Sequence, residues 1–320
     1  MGYRFDIEKM KIVETGGIYV RSFPSADQVI INSKNILKPG IFSNWVFIQS
    51  LLPREHTILV KKDGHYDYFK TIQVQEKEVT KLENILLFKT NIQFSVVDVK
   101  ITQSPFDEKI FTPTIEKLLA FTKQGNNIIW LSIDGFLYKS DSTNLTAEPI
   151  KITLTPIKIV KTGVYKIISD NNHIFVNNNG YLLKLDSSTN ELLDFYTPIQ
   201  DAKISPDGKN IIYHGEKYIY LSSLAETSNT KNLIYKSQDK INNVIWLNND
   251  YIIIVSDNKV IISEIDYRGN INTITIPQTI NISSEEVINI VKPEIYFDLQ
   301  SKKLYILTNN ILLLSEKITQ

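Results

Sequence analysis

The 320-residue sequence predicts an all-β protein: a small N-terminal β-sandwich followed by a β-propeller of five blades, with six blades as the alternative. Three observations carry that reading. Apolar triplets of strand type recur at Ile128-Ile129-Trp130, Ile174-Phe175-Val176, Ile211-Ile212-Tyr213, Ile252-Ile253-Ile254 and Leu304-Tyr305-Ile306. Their mean spacing is about 44 residues, the length of one propeller blade. Each triplet is followed by a polar turn and a second strand, as in "GFLYKSD", "GYLLKLD" and "KVIISEI", and is preceded by an apolar strand such as "YKIIS" or "AKISP". The earlier part of the chain, in "GGIYVRSF", "QVIINS", "HTILVKK" and "VTKLENILLF", alternates at period two without those turns, the pattern of a separate sandwich.

Taken from the N-terminus, residues 1–15 read as a lead-in, 16–89 as the sandwich and 90–320 as the propeller, the break falling at Lys89-Thr90-Asn91. The opening "MGYRFDIEKMK" lacks the apolar core of a signal peptide, and no apolar run reaches the ~18 residues that span a bilayer. Turn chemistry marks the blades. In Ser205-Pro206-Asp207-Gly208 the proline presets φ, the aspartate caps the turn and the glycine accepts positive φ; Asp134-Gly135 and Asn179-Gly180 serve the next hairpin position. The one helix expected follows the capping box Ser283-Ser284-Glu285-Glu286 into Val287, Ile288 and Val291, while "TPTIEKLLAF" at 112–121 reads as strand. The last unit, "EIYFD", "KLYIL" and "NILLLSE", is one strand short of a blade. The alternation of "IQFSVVDV" makes residues 92–99 the natural donor of the missing outer strand.

Composition narrows the function classes. Lys+Arg and Asp+Glu are both 35, so no net field draws the chain to nucleic acid or to an anionic membrane, and no nucleic-acid partner is expected. Without cysteine there is no disulfide, thiolate metal site or cysteine nucleophile. The 12 glycines form no nucleophile elbow. His56, His65, His173 and His214 are scattered and read as ordinary surface or turn histidines, and neither metal nor cofactor is expected. Of the four arginines only Arg268 falls in the propeller, too few for the clamp of a sialidase-like site. Asp134, Asp201, Asp207 and Asp298 near strand ends read as turn caps, with a glycosidase carboxylate pair as the alternative.

In the first domain, Pro24-Ser25-Ala26, Val29 through Asn32, Leu52-Pro53, Glu55-His56 and Gly64 ahead of Tyr66 together resemble a PEGA domain over residues 16 to 88. In the second, "AKISPDGKNIIYHGEKYIYLSSL" is similar to TolB-like and WD-like propeller blades. The pairing resembles bacterial envelope proteins held by an N-terminal transmembrane helix. It implies an extracytoplasmic location, a protein or glycan partner, and membrane contact only through a segment absent from this chain. A monomer is expected, with a cytosolic scaffold as the other possibility. Candidate binding residues are Trp45, Tyr66 and Tyr68, the two tyrosines read as sharing one strand face, and the turn residues Asp134, Asp207, Lys217 and Asn258. The functional expectation is a non-catalytic binding or scaffold protein; a propeller glycosidase or lyase is the alternative.

Overall fold

The computed structural model describes residues 2–40, 43–101, 105, 115, 117–144, 147–225, 230–282 and 287–319. Every regular element among them is a strand, so no helix there is long and apolar enough to cross a membrane. The chain forms two compact units, residues 1–104 with 250–320, and residues 105–249.

In the first unit, two sheets form the sandwich. Gly16–Phe23 is the centre of a three-stranded sheet, antiparallel to Trp45–Leu51 and parallel to Val79–Leu86. The facing sheet runs Asn35–Leu37, Gln28–Ile31, Glu55–Lys61, Tyr68–Gln73. Period-two alternation does what the sequence promised: Ile18, Val20, Val29, Ile31, Ile58 and Val60 point inward and are buried together. Ahead of the sandwich a ribbon pairs Tyr3–Asp6 with Lys11–Glu14.

The same unit holds the last blades. Tyr251–Ser256, Lys259–Glu264 and Thr273–Thr275 form an antiparallel meander. The final sheet runs Phe94–Val99, Ile311–Lys317, Lys303–Thr308, Glu294–Asp298, so its outermost strand comes from the early chain as the strand count required. Val287–Asn289 pairs with Thr279–Asn281 as a short hairpin, so no helix runs from residue 287 onward. The capping residues 283–286 lie outside the described residues. Val287, Ile288 and Val291 fit a strand as well as a helix, and β-branched residues favour the strand.

The second unit repeats one four-stranded antiparallel meander. Leu118–Gln124, Asn127–Ser132, Leu137–Asp141 and Ile150–Lys151 form the first; Tyr165–Ser169, Ile174–Asn178, Tyr181–Asp186 and Glu191–Tyr196 the second; Asp201–Ile204, Asn210–His214, Tyr218–Ser223 and Asn232–Lys236 the third. These are propeller-type blades. Their triplets form the middle of each core: Phe175 and Tyr213 are fully buried and both meet Phe195 edge-on, at 5.3 and 5.7 Å. Trp130 and Trp246 are buried as expected of packing residues, with indole N–H groups donating to Ser140 Oγ and the Lys203 carbonyl. The turn after Ile204 closes as its sequence demands. Asp207 Oδ1 accepts from Ser205 Oγ and Lys209 N, and Gly208 takes φ +70.

Candidate functional site

Tyr165–Ser169, Asp201–Ile204 and Ile241–Trp246 are first strands of successive repeats in the second unit, and each adjoins the next. That side-by-side row makes an inner wall. Strand alternation turns one face of each to the cores and leaves a polar residue on the other: Lys166, then Asp201 and Lys203, then Asn243. Lys166 Nζ lies 2.7 Å from Asp201 Oδ1, which also accepts the Ala202 N–H. Lys203 Nζ donates to Asn243 Oδ1 at 3.1 Å. Burial pushes the Lys203 ammonium down to about 8; Asp201 opposes the shift and Lys166 adds to it. His214, also buried, is held below its usual range by desolvation and donates Nδ1–H to the Gly215 carbonyl. The wall therefore offers amines and an amide, with its carboxylate already engaged. Asp201 had been read as a turn cap; the ion pair to Lys166 is its additional role. Lys166 and Lys203 went unnoticed although the signal was present, a lysine in second place of both "YKIIS" and "AKISP".

A groove of about 560 Å³ opens between the first two blades of this unit. Ile129, Leu193 and Phe195 give it an apolar floor; Lys139, Lys184 and Asp170 stand among its polar walls. Burial alone would raise Asp170, but hydrogen bonds from Asn172 and His173 hold its carboxyl below the usual range. Asp186 is kept low by the Ser188 hydroxyl and N–H. Gln124 Nε2 is buried there without a hydrogen-bond partner. Among the described residues no group of three or more His, Asp and Glu side chains is arranged to hold a metal.

Within each unit, the residues singled out from the sequence have separate local roles. Asp134 caps its own turn, accepting from Phe136 N–H and the Tyr138 hydroxyl, and Asn258 Oδ1 accepts from Lys292 N–H. Lys217 is exposed in the turn after Asn210–His214, whereas Asp207 sits in the turn before that strand, at its opposite end. Tyr66 precedes the strand Tyr68–Gln73 and is not on its face. Tyr68 is buried, its hydroxyl donating to Glu264 Oε2 at 2.9 Å, because the strand edge it occupies is covered by the 265–272 loop of a blade in the same unit. Trp45 does stand in the open, stacked on Tyr19 at a centroid distance of 5.7 Å with the exposed Phe47 two residues along the strand. His56 is a correction: it is buried, Nε2–H donating to the Leu52 carbonyl and Nδ1 accepting from Asn32, which makes it a structural joint rather than a surface histidine.

The joint around Tyr68 is a densely bonded polar cluster of the first unit. Glu264, buried, accepts from Lys70 Nζ (2.7 Å), Tyr68, and both the backbone and side-chain N–H of Asn272 (2.8 Å each). Lys70, fully buried, also donates to the Asp266 carbonyl at 2.6 Å. Burial, with the Glu264 charge beside it, drives the Tyr68 phenol far above its ordinary range, so it acts only as a donor. These five residues engage one another, none presented to open solvent as a nucleophile would need to be.

The strand order and the parallel pairing of Gly16–Phe23 with Val79–Leu86 fall within the segment on which a family model settles. Residues 15–87 match the PEGA domain. The match ends two residues short of Lys89, and the PEGA segment thus covers the sandwich, leaving the blades outside it. No curated protein matches the chain in sequence. Among solved structures, the extracellular domain of the hybrid two component system BT4673 from B. thetaiotaomicron is 11% identical with a TM-score of 0.44, covering 81% of this chain, which spans 31% of that one. The Cps50 (Swd1) β-propeller domain of Myceliophteria thermophila is 10% identical at TM-score 0.45, over 62% of this chain and 65% of that one. YCF48 bound to D1 peptide is 9% identical at TM-score 0.43, over 94% and 82%.

Proposed function

We propose that the protein is a non-catalytic binding or scaffold protein of the bacterial cell envelope, on the extracytoplasmic side. In this reading residues 90–320 form a five-bladed propeller that recognises an extended protein segment, and the PEGA-type sandwich, residues 16–89, is the attachment module. The observation that carries it is the inner wall. A propeller glycosidase needs two opposed carboxyl groups, one of them held neutral as the acid. Lys166, Lys203 and Asn243 line the wall instead, with Asp201 tied to Lys166. The carboxyl groups of Asp170 and Asp186 in the groove, and of Asp207, are held low, which suits charge recognition rather than proton transfer at neutral pH. The apolar floor of the groove between charged walls fits a peptide with alternating apolar and charged side chains.

Panning a displayed peptide library on the purified protein tests this, together with a screen of chromogenic glycosides, esters and phosphoesters. Enriched peptides should lose at least about tenfold in affinity for the Leu193→Asp or Lys203→Gln variant. Turnover of any screened substrate that disappears in Asp170→Asn or Asp201→Asn would overturn the binding reading.

A further inference from the structure

The ribbon Tyr3–Asp6 and Lys11–Glu14 has two unlike faces. Register sets Arg4 opposite Val13 and Asp6 opposite Lys11 on one, Tyr3 opposite Glu14 and Phe5 opposite Ile12 on the other. The first face is anchored. Val13 and Asp6 are buried, Arg4 donates to the Ser50 carbonyl, and Asp6 Oδ1 accepts the N–H groups of Glu8 and Lys9 to tie off the turn. The second face is bare: Tyr3 is 71% exposed, Phe5 54% and Ile12 69%, and the turn adds Ile7 at 77% and Met10 at 73%. Five large apolar side chains on twelve residues exceed the scattered exposure normal for a soluble surface.

Charge decides what covers them. The ribbon's two glutamates are taken, Glu8 by Arg54 at 2.6 Å and Glu14 by Lys77 at 2.6 Å and by the Tyr3 hydroxyl at 3.0 Å. Lys9 and Lys11 have no ion-pair partner among the described residues, and Arg4 meets only a carbonyl. The turn end therefore carries the exposed Ile7 and Met10 together with Lys9, with Lys11 at its base on the anchored face: an apolar tip with unpaired positive charge beside it. A second copy docked turn end to turn end would bring these lysines against each other. A bilayer surface with anionic headgroups satisfies both parts: the acyl boundary takes Ile7, Met10 and Phe5, the phosphates take the lysines, and Tyr3 sits at headgroup depth where amphipathic rings collect.

We infer that the 3–14 ribbon is a membrane-surface contact, dipping its turn and its Tyr3–Phe5–Ile12 face into an anionic lipid leaflet. This contact lies within the chain itself and does not depend on any helix. The balanced overall charge hides it, because the attraction comes from local pairing: two acids are neutralised nearby while two lysines are left free.

Vesicle flotation of the full chain tests the assignment, with vesicles of phosphatidylcholine alone and of a phosphatidylglycerol–phosphatidylcholine mixture. The protein should float with the mixture, weakly or not at all with phosphatidylcholine, and less as salt rises. Ile7→Ser/Met10→Ser and Lys9→Glu/Lys11→Glu should each lower partitioning at least about tenfold, with melting temperature unchanged because these side chains touch no core. No flotation, flotation indifferent to either pair of changes, or a lipid-independent dimer that disappears in Ile7→Ser/Met10→Ser would overturn it.

Discussion

His56 and His214 are each 4% exposed and both are held below the ordinary imidazole range, desolvation being the leading cause in each. The sign of the consequence follows from linkage. Above pH 6.5 neither the folded nor the unfolded chain protonates these rings; as pH falls through 6.5 the unfolded chain gains protons that the folded one refuses, so stability drops. The loss continues down to the depressed folded values, with up to about 1.4 kcal/mol per histidine per pH unit as the limit. Urea unfolding at pH 7.5 and pH 5.5, values chosen to bracket the ordinary imidazole range of about 6.5, should show the chain less stable at the lower pH, with a shallower dependence in His56→Gln. An unchanged slope in that variant would remove His56 from the account. Nothing local marked either ring as buried. "REHTIL" and "IIYHGE" show only a polar residue next to apolar ones, and which side faces inward depends on strands far away in sequence.

At the level of elements, the loop 265–272 closes the open edge of the sandwich strand Tyr68–Gln73. Asn270 does the work of a missing strand: its Oδ1 accepts from Thr71 N–H and its Nδ2 donates to the Phe69 carbonyl, while Asn272 Oδ1 accepts from Phe69 N–H. Gly269 makes the approach possible. Its φ is +67, and a Cβ there would lie 1.9 Å from the Thr71 carbonyl oxygen. Beneath the loop, Lys70 and Glu264 are a buried pair, so removing one partner strands the other charge. Lys70→Met should cost about 3–5 kcal/mol, and adding Glu264→Leu should recover at least about 1 kcal/mol of it, since an apolar pair replaces an ion pair at little net cost. Chemical denaturation of the single and double variants measures both; a double variant no better than Lys70→Met would show that the pair's hydrogen bonds, not its charges, hold the loop. Sequence reading saw Tyr68 and missed Lys70, because "YDYFKTIQ" gives no reason to bury a lysine until Glu264, 194 residues away, is brought against it.

For the molecule as a whole, the strand Phe94–Val99 ties the early chain to its last residues, pairing Phe94 with Ser315 and Val99 with Ile311. Phe94 is 7% exposed and anchors it. Phe94→Ala should cost about 3 kcal/mol, and amide exchange should quicken in Ile311–Lys317 while the sandwich strands Gly16–Phe23 and Glu55–Lys61 keep their protection. Equal loss of protection in the sandwich would show that the two cores open together and would count against a boundary near Lys89, which remains our proposal.

The sequence by itself determined the all-β class, the repeat, the turn chemistry and the strand borrowed from residues 94–99, because each is written in short-range pattern: alternation, period, and the count of strands per unit. It also carried the PEGA resemblance over residues 16–88, where the family model matches residues 15–87. Tertiary structure alone decided which polar residues matter. Asp134 and Asp207 turned out to satisfy their own turns, whereas Lys70, Lys166 and Lys203, and Asn258 with the Lys292 N–H, acquired partners from distant segments. A turn cap is set by neighbours two or three residues away, so its residue type announces it. The fate of a lysine on a strand is set by desolvation and by charges that only the packing of distant segments brings within reach.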